Sequence, residues 1–298
     1  MLLKDRVAVV TGSGRGIGRG EALALAREGA KLVINDLGGS VDGSGASQSP
    51  ADEVVAEIKK AGGMAVANYD SVTTAEGAEK IIKTAIDSFG RIDILVNNAG
   101  ILRDRMVFNM TAEEWDSVLK VHLYGTFNCT RYASAYMRQQ RYGRIINTSS
   151  QAGLGNMGQA NYSAAKEGIV GFTRTAARDL GRYGITCNAI RPRAATRMTM
   201  TPELRAAWER QGRQDVIKEL EALTPENVAP LVVFLASEAA DNINGCTFLV
   251  YTGCVAIYSE PVPHQMLLKD GKWTPQELVD IIPKTIGKGM VRELGAGF

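Results

Sequence analysis

Tyr162 and Lys166 stand four residues apart in Asn161-Tyr162-Ser163-Ala164-Ala165-Lys166, a run of small residues that suits a helix. That spacing puts the phenol and the ammonium on one helical face. A free tyrosine titrates near pH ~10. An ammonium beside it favours the phenolate and draws that value toward a range useful for proton exchange. Upstream, the strand-like run Arg144-Ile145-Ile146-Asn147-Thr148 delivers Ser149 and Ser150 at its end. A serine hydroxyl there can hold a substrate oxygen in front of the phenol. These residue types suit proton transfer between an alcohol and its carbonyl. On spacing alone, Tyr-x-x-x-Lys is more often a surface helix pair, so the weight falls on the elements that must position it.

Val7-Ala8-Val9-Val10 is a continuous apolar run, as in a strand buried on both faces. Thr11-Gly12-Ser13-Gly14-Arg15-Gly16-Ile17-Gly18 follows at once, then an expected helix over 19–28 ended by Gly29, then a strand over 31–35 closing in Asp36. Glycines between strand and helix let the backbone approach a pyrophosphate, where the helix N-terminus offers free N–H groups. A carboxylate ending the second strand can accept hydrogen bonds from ribose hydroxyls and repels a 2′-phosphate, which favours NAD over NADP. Arg15 pulls the other way, since a guanidinium can meet that phosphate. Asp36 carries more weight, because the ribose belongs at its strand end.

Further along, the glycine- and serine-rich segment 37–50 reads as a loop over the adenosine side of the cleft. A helix is expected over 51–61, a strand over 65–69 ending at Asp70, a capping box at Thr73–Glu76 and a helix to Phe89. A strand over 92–96 leads into Asn97-Asn98-Ala99-Gly100, which can form a floor under a nucleotide or simply a turn. A capping box at Thr111–Glu114 opens one long helix with His122 in its middle. Strands follow over 145–148, 185–190 and 247–251, with the Tyr162 helix running to about Leu180. Thr201-Pro202 and Thr224-Pro225 read as helix starts, the first opening a mixed-charge segment, 200–223, that looks like a mobile lid. This alternation predicts an α/β fold: a single Rossmann-type doubly wound parallel sheet of about seven strands with helices on both faces. We place that domain at 1–255. Residues 256–298, with a capping box at Thr274–Glu277, read as a C-terminal extension packing on the core or a neighbouring subunit.

The 298 residues are 45% hydrophobic, enough for a substantial core. A net charge of +2 gives no nucleic-acid footprint. Four scattered cysteines and only two histidines, His122 and His264, offer no metal set at standard spacings. The N-terminus runs straight into a strand and no apolar run is long enough to span a bilayer, so a soluble cytoplasmic protein is expected.

With TGSGRGIG at Thr11–Gly18, Asp36, Asp70, NNAG at Asn97–Gly100, the strand-end serines and Tyr162-x-x-x-Lys166, the chain resembles the short-chain dehydrogenase/reductase family over about residues 4 to 255. The resemblance implies hydride transfer to or from nicotinamide. Tyr162 would be the general acid/base, Lys166 would bind the nicotinamide ribose and lower the tyrosine pKa, and a serine would hold the substrate oxygen. Strand register favours Ser150 for that role, whereas the residue count to the tyrosine would pick Ser149. The implied cofactor contacts are Gly12, Ser13, Arg15, Gly16, Ile17, Gly18, Asp36, Asp70, Ser71, Asn98, Ala99, Gly100, Tyr162, Lys166, Pro192 and Thr196. His122 stands where the family usually has a relay asparagine; a partial relay and a plain helix-bundle hydrogen bond are both open for it. The usual Asp-Gly-Gly after the last strand is replaced by Tyr251-Thr252-Gly253-Cys254.

A narrower likeness lies in VINDLGG, VANYDSV, NNAGILRDR, VHL, GQANYSAAK and RMT, which resemble the dehydrogenase unit of type 2 peroxisomal multifunctional enzymes. It implies oxidation of a (3R)-hydroxyacyl-CoA with NAD by a homo-oligomer, dimer or tetramer. The alternatives are a dehydrogenase of hydroxysteroids or other bulky secondary alcohols and, from another class, a non-catalytic nucleotide-sensing protein. Candidates for CoA phosphates are Arg103, Arg105, Arg191, Arg193 and Arg197, at least half of which are expected to be solvated or bound within the protein.

Overall fold

The computed structural model describes residues 1–196 and 202–289. The elements follow in order: β1 Val7–Thr11, α1 Gly16–Arg27, β2 Lys31–Asn35, α2 Ser49–Lys60, β3 Ala65–Asn68, α3 Ala75–Phe89, β4 Ile94–Asn97, α4 Ala112–Leu119, α5 Gly125–Gln140 and β5 Gly143–Thr148. Then come α6 Ala160–Gly181, β6 Ile185–Pro192, α7 Pro202–Arg210, α8 Gln214–Glu221, α9 Ala229–Ala236, β7 Thr247–Tyr251, β8 Cys254–Ile257 and α10 Pro275–Ile281. The strands form one sheet in the order β3-β2-β1-β4-β5-β6-β7-β8. The chain winds outward from β1 to β3, then crosses to β4 on the other side of β1. That reversal opens a crevice at the carboxyl ends of β1 and β4.

Period-two alternation explains the two helical layers. In β1, Ala8 and Val10 join a core with Leu25 of α1, Val54 of α2 and Val232 of α9. Val7 and Val9 point the other way, toward Ile81 of α3, Met137 of α5 and Ala177 of α6. Several strands close on asparagines that register across the sheet. Asn35 donates to Asn68 Oδ1 at 2.9 Å, and Asn97 to Asn147 Oδ1 at 2.9 Å. These buried amides tie the strand ends together where the loops that build the site depart.

Four expectations need correction. Cys254–Ile257 is an eighth strand, antiparallel to β7, because Gly253 at φ 70° turns the chain straight back. The long helix is two helices, α4 and α5, joined by a π-helical turn, Lys120–Tyr124, that holds His122. Thr74, not Thr73, caps α3, accepting the Gly77 N–H. Thr224-Pro225 opens only a 3-10 turn, Pro225–Asn227, ahead of α9, and the Thr224 hydroxyl makes no capping bond; it accepts from the Asn227 side-chain amide at 2.9 Å. The capping boxes at Thr111–Glu114 and Thr274–Glu277 are both present. Thr201 lies outside the described residues, and the remainder of 200–223 holds α7 and α8. The chain divides into two compact units, residues 1–257 with the whole sheet and 258–298 with α10.

Candidate active site

The loop from β1 to α1 lies against the loop that follows β4. Asn98 donates its amide to the Thr11 and Gly12 carbonyls, each at 3.0 Å, and Thr11 Oγ1 accepts the Asn98 and Ala99 N–H groups at 3.1 Å. A Cβ on Gly12, at φ +63°, would come within 2.7 Å of Ala99 Cα, so only glycine fits there. Beside this seam is a cavity of about 550 Å³, a size suited to a cofactor. Gly12, Arg15, Gly16 and Ile17 line it from the first loop; Asp36, Asp70 and Ser71 from the ends of β2 and β3; Asn98, Ala99 and Gly100 after β4; and Thr196 after β6. Ser13 does not line it: the residue is buried and its hydroxyl donates to the Val10 carbonyl at 2.7 Å. Gly18 is packed beneath, against the Asn98 amide and the Gly12 carbonyl. Pro192, Tyr162 and Lys166 also lie outside this lining.

Asp36 is held rigidly. Its Oδ2 accepts the Gly14 N–H at 2.7 Å and its Oδ1 the Gly38 N–H at 2.6 Å. Each oxygen keeps a lone pair for a ribose hydroxyl. The segment after Asp36 contributes Gly39–Gly43 to the cavity wall. It is tied to the loop after β4: the Leu102 N–H and the Arg103 Nε–H donate to the Val41 and Asp42 carbonyls, both at 2.9 Å. The open glycine cradle at the N-terminus of α1, the anchored carboxylate and the cavity together fit a dinucleotide.

A second group of residues gathers where β5 ends and α6 begins. Ser149 is buried and donates to the Lys166 carbonyl at 2.8 Å, which takes its hydroxyl out of the cleft. Ser150 is half-buried; its Oγ accepts the Ala152 N–H at 3.2 Å, and its hydroxyl is near enough to the Tyr162 phenol to favour the phenolate. Lys166 is buried, with Nζ donating to the Thr148 carbonyl at 2.5 Å and lying 5.4 Å from the centroid of the Tyr162 ring. Burial pushes the Tyr162 phenol up to about 12, against the lowering by the Ser150 hydroxyl and with the Asp104 charge acting the same way as burial. Burial likewise pulls Lys166 down to about 7. The spacing argument expects an ammonium to lower the phenol; here desolvation is the leading influence on both groups.

His122 is buried with its ring edge-on to Tyr162 at 5.1 Å. Its Nε2 lies 3.0 Å from the Ile101 nitrogen and 2.8 Å from the Ile101 oxygen, and Nδ1 has no partner among the described residues. Burial first, then nearby Lys166, holds it well below the usual histidine range, so it is neutral at pH 7. Gly100 backs directly onto its imidazole. Asn161 escaped the sequence reading. It is buried and bonds Tyr162, Arg103 and Glu114. The signal was a polar residue on the inward face of the first turn of α6.

The arginines proposed for CoA phosphates are largely committed elsewhere. Arg103 pairs with Glu113 at 3.0 Å, Arg105 with Glu114 at 2.8 Å, and buried Arg191 with Glu167 at 2.7 Å. Arg193 is exposed, its guanidinium 5.2 Å from the Tyr251 ring centroid, and Arg197 lies outside the described residues.

The short chain dehydrogenase family model matches residues 6–208. The chain belongs to the short-chain dehydrogenase family. It is an oxidoreductase, and the family works with a nicotinamide cofactor, NAD or NADP. A hydroxyacyl-CoA dehydrogenase of Mycobacterium tuberculosis is 44% identical over 291 residues, 93% of this chain and 87% of that one. The mouse peroxisomal multifunctional enzyme type 2 is 51% identical over 253 residues, 84% of this chain but only 32% of the enzyme. The chain therefore spans about a third of that relative's length. Among solved structures, a short chain dehydrogenase from Mycobacterium avium superposes with a TM-score of 0.82 at 43% identity, covering 97% of this chain and 96% of its own. Among the described residues, no helix is long and apolar enough to cross a membrane.

Proposed function

We propose that the protein interconverts a (3R)-3-hydroxyacyl-CoA and its 3-oxoacyl-CoA with NAD. The observation that carries the substrate is the likeness to a hydroxyacyl-CoA dehydrogenase over nearly the whole of both chains. Ser150 and Tyr162 hold the substrate oxygen between them, and Tyr162 moves the proton. A phenol with a pKa of about 12 is protonated at neutral pH and ready to donate, which suits ketone reduction. Alcohol oxidation needs the phenolate, so that direction gains as pH rises. Bound nicotinamide supplies the hydride acceptor or donor and, when oxidised, a positive charge that favours the phenolate. Lys166 orients the cofactor ribose. Gly12, Gly16 and the first N–H groups of α1 bind the pyrophosphate, and Asp36 takes the adenosine ribose, favouring NAD. We read the enzyme as a cytoplasmic homo-oligomer, with residues 256–298 as a C-terminal extension.

One observation favours a second reading, an uncharged bulky alcohol such as a hydroxysteroid. Three of the five candidate arginines are already paired with the protein's own carboxylates, which leaves less positive charge for CoA phosphates. A substrate panel decides between the two. Purified enzyme is given (3R)- and (3S)-3-hydroxyacyl-CoA esters and hydroxysteroids with NAD or NADP, and NAD(P)H absorbance is followed. Turnover of the (3R) ester with NAD is expected; turnover of a steroid but of no CoA ester would overturn the proposal. With the best substrate, Tyr162→Phe should lose about 10²- to 10⁴-fold in turnover while keeping NADH affinity.

A further inference from the structure

Asn161 stands one residue ahead of Tyr162 and is fully buried. Its Oδ1 accepts the Tyr162 backbone N–H at 2.8 Å. Its Nδ2 donates to the Arg103 and Glu114 carbonyls, both at 2.9 Å. Three facts give this amide a particular value. First, the opening N–H groups of any helix lack intrahelical partners, and the side chain of Gln159 at the N-cap of α6 makes no capping bond. Asn161 therefore supplies the acceptor that the tyrosine's own N–H needs. Second, Arg103 belongs to the loop after β4, whose Asn98, Ala99 and Gly100 line the nucleotide cavity. Third, the same stretch is fastened to the cavity's far wall through Leu102 and Arg103. One uncharged side chain thus fixes the start of α6 to the structure that surrounds the cofactor cavity.

We propose that Asn161 is a positioning residue for Tyr162: it sets the phenol's distance and direction relative to the nucleotide cavity. The proposal rests on Tyr162 as the general acid/base. A primary amide suits the task, because it offers two donors and an acceptor on a short stem and carries no charge to disturb the phenol. Aspartate has the same shape and keeps the acceptor for the Tyr162 N–H. It turns both donated bonds into oxygen–oxygen contacts, so it should release the loop and α4 while leaving the helix start intact. Misplacing a reacting group by about 1 Å can cost about 10²-fold in rate.

The test labels the protein with 3-fluorotyrosine and records ¹⁹F NMR spectra of wild type, Asn161→Asp, Asn161→Ala and Tyr162→Phe. The resonance missing from Tyr162→Phe belongs to Tyr162. In Asn161→Asp that resonance should move or split, while the remaining tyrosine resonances hold their places and the NADH Kd stays within about twofold. Turnover of (3R)-3-hydroxybutyryl-CoA should fall about 10- to 100-fold with little change in KM. Aspartate can add a charge beside the phenol, so the neutral Asn161→Ala, or Asn161→Ser should alanine fail to fold, must move the same resonance. An unmoved Tyr162 resonance in Asn161→Asp overturns the proposal, as does a general shift of all tyrosines together with lost NADH binding, which would mark a purely structural residue. Wild-type turnover by Tyr162→Phe would instead remove the acid/base reading, and the positioning proposal with it.

Discussion

Replacing Glu21 by glutamine should remove a pH dependence that wild-type stability carries between pH values of about 5 and 7. Glu21 lies in α1 just after the glycine loop, is fully buried, and neither carboxylate oxygen has a hydrogen-bond partner among the described residues. Burial pushes its carboxyl from an ordinary 4.5 up to about 8. Below pH 4.5 both the folded and unfolded chains hold the proton. Between 4.5 and 8 the folded chain keeps it and the unfolded chain loses it, so stability falls as pH rises through that window. The slope is about 1.4 kcal/mol per pH unit, or about 3 kcal/mol from pH ~5 to pH ~7. Lys166 and His122, whose burial depresses them, act in the opposite sense, but they are common to both proteins and cancel in the difference. Urea unfolding of wild type and Glu21→Gln at a series of pH values measures that difference. It should grow in favour of the glutamine variant at about 1.4 kcal/mol per unit, on top of any pH-independent offset. Two parallel stability–pH lines would refute the reasoning and mean that the folded protein accommodates the Glu21 charge.

Asp36→Ala should cut the preference for NAD over NADP in kcat/KM by about tenfold or more, since about 1.4 kcal/mol of lost repulsion suffices for that; an unchanged ratio would show that Asp36 does not face the 2′ position. Gly100→Ala places a methyl against the His122 imidazole, within 3.2 Å of both ring nitrogens, and that ring in turn backs on Tyr162. Turnover should fall about tenfold or more, and a second change, His122→Ser, should restore part of it by making room; steady-state rates of the single and double variants decide it, and equal rates for wild type and Gly100→Ala would remove the steric link.

The sequence by itself determined the architecture and which residues would be neighbours along one helix. An unbroken apolar run such as Val7–Val10 fits a strand buried on both faces, and strand–glycine–helix order at Thr11–Gly18 fits a parallel sheet wound around a nucleotide crevice. The nearness of Tyr162 and Lys166 was legible because helical spacing is local, and the capping boxes at Thr111 and Thr274 because their bonds join residues three apart. What the sequence left open depends on partners far along the chain. Ser149 and Ser150 are alike in sequence, and only packing against α6 turned the first inward to the Lys166 carbonyl and the second toward Tyr162. At least half of the arginines after β4 and β6 were expected to be solvated or bound within the protein, but which ones, and by what, was settled only when the fold set Glu113, Glu114 and Glu167 beside Arg103, Arg105 and Arg191. Spacing predicts that Lys166 lowers the tyrosine, but burial, which belongs to the folded molecule alone, raises the phenol and depresses the ammonium. Asn161 gave little sign of its place, because its three partners meet only when the loop after β4, α4 and the start of α6 come together. Local pattern decides which elements form and where reactive groups sit along them; charge, proton affinity and orientation at the site are set by long-range neighbours and excluded water, and those arise only in the tertiary structure.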